Sequence, residues 1–221
     1  MSLPEGVAEV REARKKGQPV TIETCPHYLV LTEEDLVRLG PVAKCAPPLR
    51  DRQRQEGLWE AVLGGDIDCI TSDHSPCPTE DKGRGEDDIF EAWGGITGIQ
   101  TLVPLLLTEG VHRRGLSLDR FATLLAATPA KIGGLWPRKG AIQVGADADL
   151  LIVDMEREWL VERSWLYSRH QHSPFIGWRM KGWITYVLLR GRTIARDGEV
   201  IVDGVGEWLM RKRAAPSAKR A

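Results

Sequence analysis

The sequence is poor in cysteine and histidine and has no long apolar run. Its four cysteines, Cys25, Cys45, Cys69 and Cys77, stand 20, 24 and 8 residues apart. No Cys-x-x-Cys pair occurs, which argues against a structural zinc ribbon. So sparse a set fits a reduced, cytoplasmic protein better than a disulfide-stapled secreted one. No apolar stretch approaches the ~18–20 residues of a membrane span. The longest, at residues 102–107, is broken by Pro104. The opening Met1-Ser-Leu-Pro-Glu has neither a basic cluster nor an apolar core, so no signal peptide is expected. Neither sign of charge dominates. A formal net charge of −1 supplies no basic field for nucleic acid. The 221 residues suffice for one large or two small domains with an ordinary core.

What is present alternates. Residues 5–16 have Val7, Val10 and Ala13 at helical spacing, and Gly17 ends the pattern. Residues 19–24 are β-branched and predict a strand. Thr32-Glu-Glu-Asp35 reads as a capped helix start. Residues 42–45 predict a second short strand, closed by Pro47 and Pro48. Residues 51–63 are helical and stop at Gly64-Gly65. Residues 68–72 predict a third strand. The order α, β, α, β, α, β predicts parallel strands with crossover helices. Residues 74–95 form a long polar loop, of the kind that serves as a functional lid or an insert. Helical patterns resume at 96–108, 117–126 and 129–135. Composition shifts near Trp136-Pro137. Residues 144–154 then read as a turn and a buried strand, and 183–195 as a hairpin. The expected division is 1–136, a small β-rich domain at 137–205, and a basic, disordered tail at 206–221.

Two segments place metal-capable side chains at the ends of strand-like runs. These are Glu23-Thr-Cys-Pro-His27-Tyr-Leu29 and Thr71-Ser-Asp73-His74-Ser-Pro-Cys77. Imidazole is the commonest transition-metal ligand. Taken alone, however, a histidine such as His27 is more often a half-buried residue with one hydrogen bond. Asp73 ends an apolar strand, where a carboxylate is costly unless paired or metal-bound; alone it is more often a cap or an Asx-turn. His74 is a candidate supporting residue or a loop histidine. Cys77 has no base at a recognisable spacing and reads as structural. His170 and His172 could chelate a metal, but a surface loop is the blander reading. Trp93-Gly94-Gly95 would let a ligand approach the backbone, or it is an ordinary turn.

Four ordered motifs together resemble the cyclic amidohydrolases, the group of allantoinase, dihydroorotase and the hydantoinases. They are Glu23-Thr-Cys-Pro-His27-Tyr-Leu29, Lys44-Cys-Ala-Pro-Pro-Leu-Arg50, Ile67-Asp-Cys-Ile-Thr-Ser-Asp-His-Ser-Pro-Cys77 and Ala92-Trp-Gly-Gly-Ile96. The last three, in that order, are most similar to the allantoinase branch; dihydroorotases usually carry Asn where this chain has Ala46. Ser168-Arg-His-Gln-His-Ser-Pro-Phe-Ile-Gly177 adds to the likeness. One motif alone would be weak evidence.

The resemblance implies an α/β fold: the C-terminal part of a (β/α)8 TIM barrel, about strands 6–8, followed by a small β-rich sandwich domain. It implies a divalent metal centre, usually binuclear zinc. Its ligands are a His-x-His pair on strand 1, a carboxylated lysine on strand 4, histidines on strands 5 and 6, and an aspartate on strand 8. His27 matches the strand-6 ligand. Asp73 matches the strand-8 ligand, which is also the catalytic acid–base group. Ala46, Pro47, Trp93, Gly94 and Gly95 match the substrate-binding backbone, and His74 stands behind the metal. The implied reaction is hydrolysis of a cyclic amide, allantoin to allantoate, with hydantoinase, dihydropyrimidinase or dihydroorotase chemistry as the alternative.

The other ligands are missing from the sequence. No His-x-His precedes His27, and the strand-5 histidine would fall just before residue 1. The chain therefore reads as a C-terminal portion that needs an N-terminal half as partner, in the same polypeptide or a separate one. Homo-oligomerisation of the complete enzyme is left open. Two ligands cannot hold a binuclear centre, so the isolated chain is expected to have little or no activity. A non-catalytic interaction module derived from the family is the remaining reading.

Overall fold

The computed structural model describes residues 1–210. The chain divides into two compact units. The first is Met1–Phe121 with Asp154–Trp183; the second is Ala122–Val153 with the chain from Ile184. The boundary expected at residue 137 falls inside the second unit. Most of the basic tail at 206–221 lies outside the described residues. No described helix is long and apolar enough to cross a membrane.

The first unit opens with helix α1, Pro4–Lys15. Pro4 suits the first helical position, where no intrahelical N–H is needed. Gly17 ends the helix at φ +79°, a conformation that costs glycine little. Val7 faces the core. Arg11 and Arg14 pair with Asp66 and Asp68. Asp68 also accepts the Ile22 N–H at 2.5 Å, so one carboxylate links α1 to the strand that follows.

That strand, β1, is only Glu23–Thr24, and it pairs in parallel with β2, Cys69–Ile70. The register sets Glu23 opposite Cys69 and Thr24 opposite Ile70. Among the described residues the sheet has these two strands only. The runs expected at 19–24 and 68–72 are therefore mostly extended chain without a ladder. Val20 is exposed, whereas Ile22, Ile67 and Ile70 are fully buried.

The strand expected at 42–45 is absent. The chain leaves helix α3, Glu33–Leu39, through Gly40 at φ +68° and turns into a 3-10 segment, Gly40–Ala43. The run there, with Val42 as its one β-branched residue, was too short to outweigh Gly40-Pro41. Helix α2, Pro26–Val30, lies before α3, and helix α4, Arg52–Leu63, after it. Asp51 caps α4 by accepting the Arg54 N–H at 2.8 Å. Asp35 accepts the Thr32 N–H at 2.9 Å and caps α3.

Helix α4 fastens the segment after β1. Trp59, fully buried, donates its indole N–H to the Leu29 carbonyl at 2.6 Å, and Gln55 donates to the Leu31 carbonyl at 3.0 Å. The Arg114 guanidinium lies 4.7 Å from the Trp59 ring centroid. The loop at 74–95 contains helix α5, Thr79–Gly83, and a 3-10 turn, Ile89–Glu91. The helix expected from residue 96 starts at Leu102. It runs as α6, Leu102–Leu105, into a π-helical stretch, Leu106–His112.

In the second unit, helical turns cover Thr123–Ala127 and Thr128–Ile132. Lys139 pairs with Asp147 and Asp149. A four-stranded sheet has the order β3-β4-β5-β6. Its strands are Leu150–Leu160, Arg179–Leu189, Arg192–Arg196 and Glu199–Val200. The expected hairpin is the β4–β5 pair, closed by Arg190-Gly191 with φ of +50° and +79°. Asp197-Gly198 repeats this with +49° and +89°. Two consecutive positive φ values define the loop whose twist suits a hairpin. The strand expected to be buried is not: Leu151 and Ile152 are about half exposed.

Trp59 tests the packing under β1. Trp59→Phe should cost about 1–3 kcal/mol, because it leaves the buried Leu29 carbonyl without its donor. Trp59→Ala should cost roughly 3–5 kcal/mol. Urea unfolding measures both; no loss of stability in Trp59→Phe would show that the hydrogen bond contributes nothing.

Candidate functional site

The carboxyl ends of β1 and β2 bring the two sequence segments together. After β1, Cys25 is extended (φ −130°, ψ 151°) and Pro26 starts α2. This forces a sharp turn and buries His27 in the first helical turn. After β2, Asp73 takes φ +44°. A left-handed conformation is uncommon outside glycine, although aspartate tolerates it best. Such residues cluster at functional sites.

One potential ligand atom each from Cys25, His27 and Asp73 lies within 4.8 Å of the other two. Among the described residues this is the one group of three or more metal-capable side chains. Cys25 and His27 are buried and Asp73 is exposed. Cys25 escaped the sequence reading, which weighed only Cys77 among the thiols. The signal was available: Cys25 lies two residues before His27 at the same strand end.

The electrostatics of the group follow from burial. His27 is 2% exposed. Its Nε2 finds no hydrogen-bond partner among the described residues, and its ring packs tilted against Tyr28 at 4.1 Å between centroids. Burial, helped by the nearby N-terminal charge, lowers its pKa to about 4, so the ring is neutral at pH 7. Burial also raises the Cys25 thiol to about 12, with the Asp73 carboxylate adding to the effect. Tyr28 donates its hydroxyl to the Pro47 carbonyl at 3.0 Å, and burial raises its pKa.

That hydrogen bond leads to the expected substrate-side backbone. Ala46-Pro47 is a cis peptide. A methyl group on Gly94 would come to 3.4 Å from Ala46 Cβ, so the two segments already touch. A Cβ on Gly95 would lie 2.5 Å from Ser75 Oγ and 2.8 Å from the Ser75 carbonyl oxygen, which excludes any side chain there. Trp93 is half exposed, and its indole donates to Ser75 Oγ at 3.3 Å.

Lys82 organises this region, and the sequence reading missed it. It is 5% exposed. Its ammonium donates to the carbonyls of Lys44 at 2.9 Å, Trp93 at 2.8 Å and Gly95 at 2.6 Å. All three donors of the ammonium are used. Burial lowers its pKa to about 8. Lys44 adds bonds to the carbonyls of Phe90 at 2.8 Å and Ala92 at 2.7 Å. No local motif marks a lysine whose partners are backbone groups far along the chain.

The remaining histidines have other tasks. His74 Nδ1 accepts the N–H groups of Gly98 at 3.2 Å and Ile99 at 3.3 Å, and burial lowers its pKa. It ties down residues 96–99, and this delays the start of α6. His172 Nε2 lies 2.7 Å from the Cys77 carbonyl oxygen. A carbonyl only accepts, so this nitrogen carries the proton. His170 and His172 are not joined by a third metal-capable side chain among the described residues.

Comparison with known proteins gives this geometry a context. The Amidohydrolase family model matches residues 3–194. The allantoinase of Rubrobacter xylanophilus is 48% identical over 213 residues, which cover 96% of this chain and 46% of that protein. The allantoinase of Solibacter usitatus is 47% identical, with 96% and 46% covered. Among solved structures, the L-hydantoinase (dihydropyrimidinase) from Arthrobacter aurescens superposes with a TM-score of 0.89 at 41% identity, covering 92% of this chain and 45% of that one. A D-hydantoinase from Thermus sp. gives 0.87 at 32% identity. The chain spans about half the length of the relatives it matches.

Lys82→Met should lower stability by roughly 1–3 kcal/mol, because buried carbonyls lose their donor. Amide exchange should quicken selectively around residues 93–96; unchanged protection there would remove Lys82 from its organising role. His27 sets a pH dependence in the metal-free protein. The unfolded ring protonates near 6.5 and the folded ring near about 4. The stability conferred by the neutral buried ring is complete above the unfolded value and is lost as pH falls toward the folded one. About 3 kcal/mol should disappear across that window. Urea unfolding at stepped pH should show the slope, and His27→Gln should flatten it.

Proposed function

The chain belongs to the amidohydrolase family, and on that premise we propose that it is the C-terminal portion of a cyclic-amide hydrolase that opens allantoin to allantoate. The observation that carries this reading is the meeting of Asp73, His27 and the Ala46–Pro47 and Trp93–Gly95 backbone at one end of a parallel strand pair. Ligands in open α/β sheets gather at the carboxyl ends of strands. Allantoinases at 47–48% identity favour allantoin as substrate. The 41%-identical L-hydantoinase keeps hydantoins and dihydropyrimidines as the second reading.

In this proposal the first unit is the end of a (β/α)8 barrel and the four-stranded sheet belongs to a small β-rich domain. The direct pairing of β1 with β2 favours consecutive strands. With Asp73 after the last strand, they are then strands 7 and 8. His27 thus follows strand 7, one position later than the resemblance implied. Asp73 keeps the family's ligand position. His27 has a claim through its proximity and its unpartnered nitrogen. Half-exposed Leu151 and Ile152, with Ile142 and Val144 more exposed still, support a further segment of the complete enzyme as their cover. Four free, buried thiols support a reducing compartment.

Asp73 would hold a divalent metal together with ligands from outside this chain. That metal, zinc in the usual case, would polarise the scissile carbonyl and acidify the attacking water. Asp73 takes the proton from that water and passes it to the leaving ring nitrogen. Backbone groups of Ala46–Pro47 and Trp93–Gly95 that Tyr28, Lys82 and Asp81 leave free would hold the polar edge of the ring. Lys82 fixes both segments, so the cradle is set before the substrate arrives.

Complementation tests the proposal. The purified chain alone should form no allantoate. Co-expressed with the N-terminal half of an allantoinase relative and supplied with zinc, it should form allantoate. Asp73→Asn should reduce that rate roughly 10²–10⁴-fold. Allantoate from the chain alone, or no turnover of any cyclic amide after complementation, would defeat the proposal.

A further inference from the structure

We propose that this chain, by itself, binds one thiophilic divalent cation between the Cys25 thiolate, the His27 imidazole and the Asp73 carboxylate. The inference rests on the reading of Asp73 as metal-facing. It goes beyond that reading by making Cys25 a ligand and by requiring nothing from another chain or segment.

Three observations support it. The three ligand atoms already lie within 4.8 Å of one another. Ligands of a zinc-like ion stand about 2.0–2.3 Å from the metal, so neighbouring ligand atoms end roughly 3–4 Å apart. Movements of about 1 Å or less would close the group on an ion. Next, His27 Nε2 is buried and has no partner among the described residues. A buried polar nitrogen left alone is costly, and a cation bound through Nε2 would satisfy it. Finally, the mounts are firm. Cys25 and His27 flank Pro26, and the adjacent Tyr28 is fastened to the Pro47 carbonyl. Asp73 follows the strand paired with β1.

The donor set selects the metal. One sulfur, one nitrogen and one carboxylate favour zinc, cadmium or cobalt over magnesium or calcium. Asp73 is exposed, so solvent can complete the coordination. On binding, the Cys25 S–H bond breaks, its proton passes to solvent, and a sulfur–metal bond forms. No electron is transferred and no co-reactant is needed.

Cobalt(II) titration of the full 221-residue chain tests this directly. One equivalent should produce a thiolate-to-cobalt charge-transfer band, and cadmium should displace it. Cys25→Ser should abolish the band, whereas Cys45→Ser and Cys77→Ser should keep it. Circular dichroism checks that each variant is folded. A second measurement needs no variant: cadmium should protect Cys25 selectively from alkylation in the wild-type chain, as mapped by peptide mass. No band in the wild-type chain, a band that survives Cys25→Ser, or unprotected Cys25 would each overturn the inference. None of these results bears on the hydrolytic proposal, which is judged by allantoate formation after complementation. Conversely, failed complementation alongside a Cys25-dependent band would reject the hydrolase and leave the cation site standing.

Discussion

A parallel ladder two residues long carries the candidate site. Glu23 faces Cys69 and Thr24 faces Ile70. Everything that brings Cys25 and His27 to Asp73 follows from that register. A parallel pair cannot close through a tight turn, so the connection must cross over and supply a helix. Here α4 does so, and its Trp59 and Gln55 reach back to the carbonyls of Leu29 and Leu31. The crossover is therefore also the brace. Asp68 adds an ionic tie to α1 at the start of β2. So short a ladder would be weak alone; the ties to α1 and α4 and the buried isoleucines make it definite.

The second constraint is a single buried charge. Burying an ammonium is costly unless each donor is satisfied. Lys82 meets that condition by gathering carbonyls from residues 44, 93 and 95. The segments thus tied include two glycines in close contact with neighbouring chain. Gly95 is pressed against Ser75, and Gly94 lies in ordinary contact with Ala46. A loop whose own chain is polar and rich in glycine gains order from one lysine at its centre. The same charge that is expensive to bury specifies a single arrangement.

Local order was the more legible part of the sequence. Helix α1 was expected at 5–16 and is found at Pro4–Lys15; α4 was expected at 51–63 and is found at Arg52–Leu63. Amphipathic spacing, a capping aspartate and terminal glycines are signals carried within one segment. The strand at 42–45 failed because one β-branched residue in four, Val42, cannot overrule Gly40-Pro41. Strand length failed for a different reason. A ladder is a property of two segments, and residues 19–22 show only one side of it. The site divided in the same way. Asp73 and His27 could be seen as side chains at strand ends. Cys25 as a neighbour of Asp73 and Lys82 as organiser depend on distances between residues 11 to 48 positions apart, which no single stretch displays.

The count of strands also changes how the metal chemistry is divided. If β1 and β2 are consecutive, Cys25 and His27 belong to a strand from which the family's binuclear centre takes no ligand. Asp73 is then the one group shared by two sites. In a complete barrel its carboxylate would be drawn to the hydrolytic metal, and Cys25 and His27 would remain as buried neutral neighbours. In the chain alone no other ligands compete for it, and the cheapest partner for the unsatisfied His27 nitrogen is an ion held with the thiolate beside it. Occupancy of the Cys25 site and assembly of the hydrolytic centre would then oppose each other through one aspartate. A thiophilic ion bound before assembly would have to release Asp73 before the hydrolytic centre could use it.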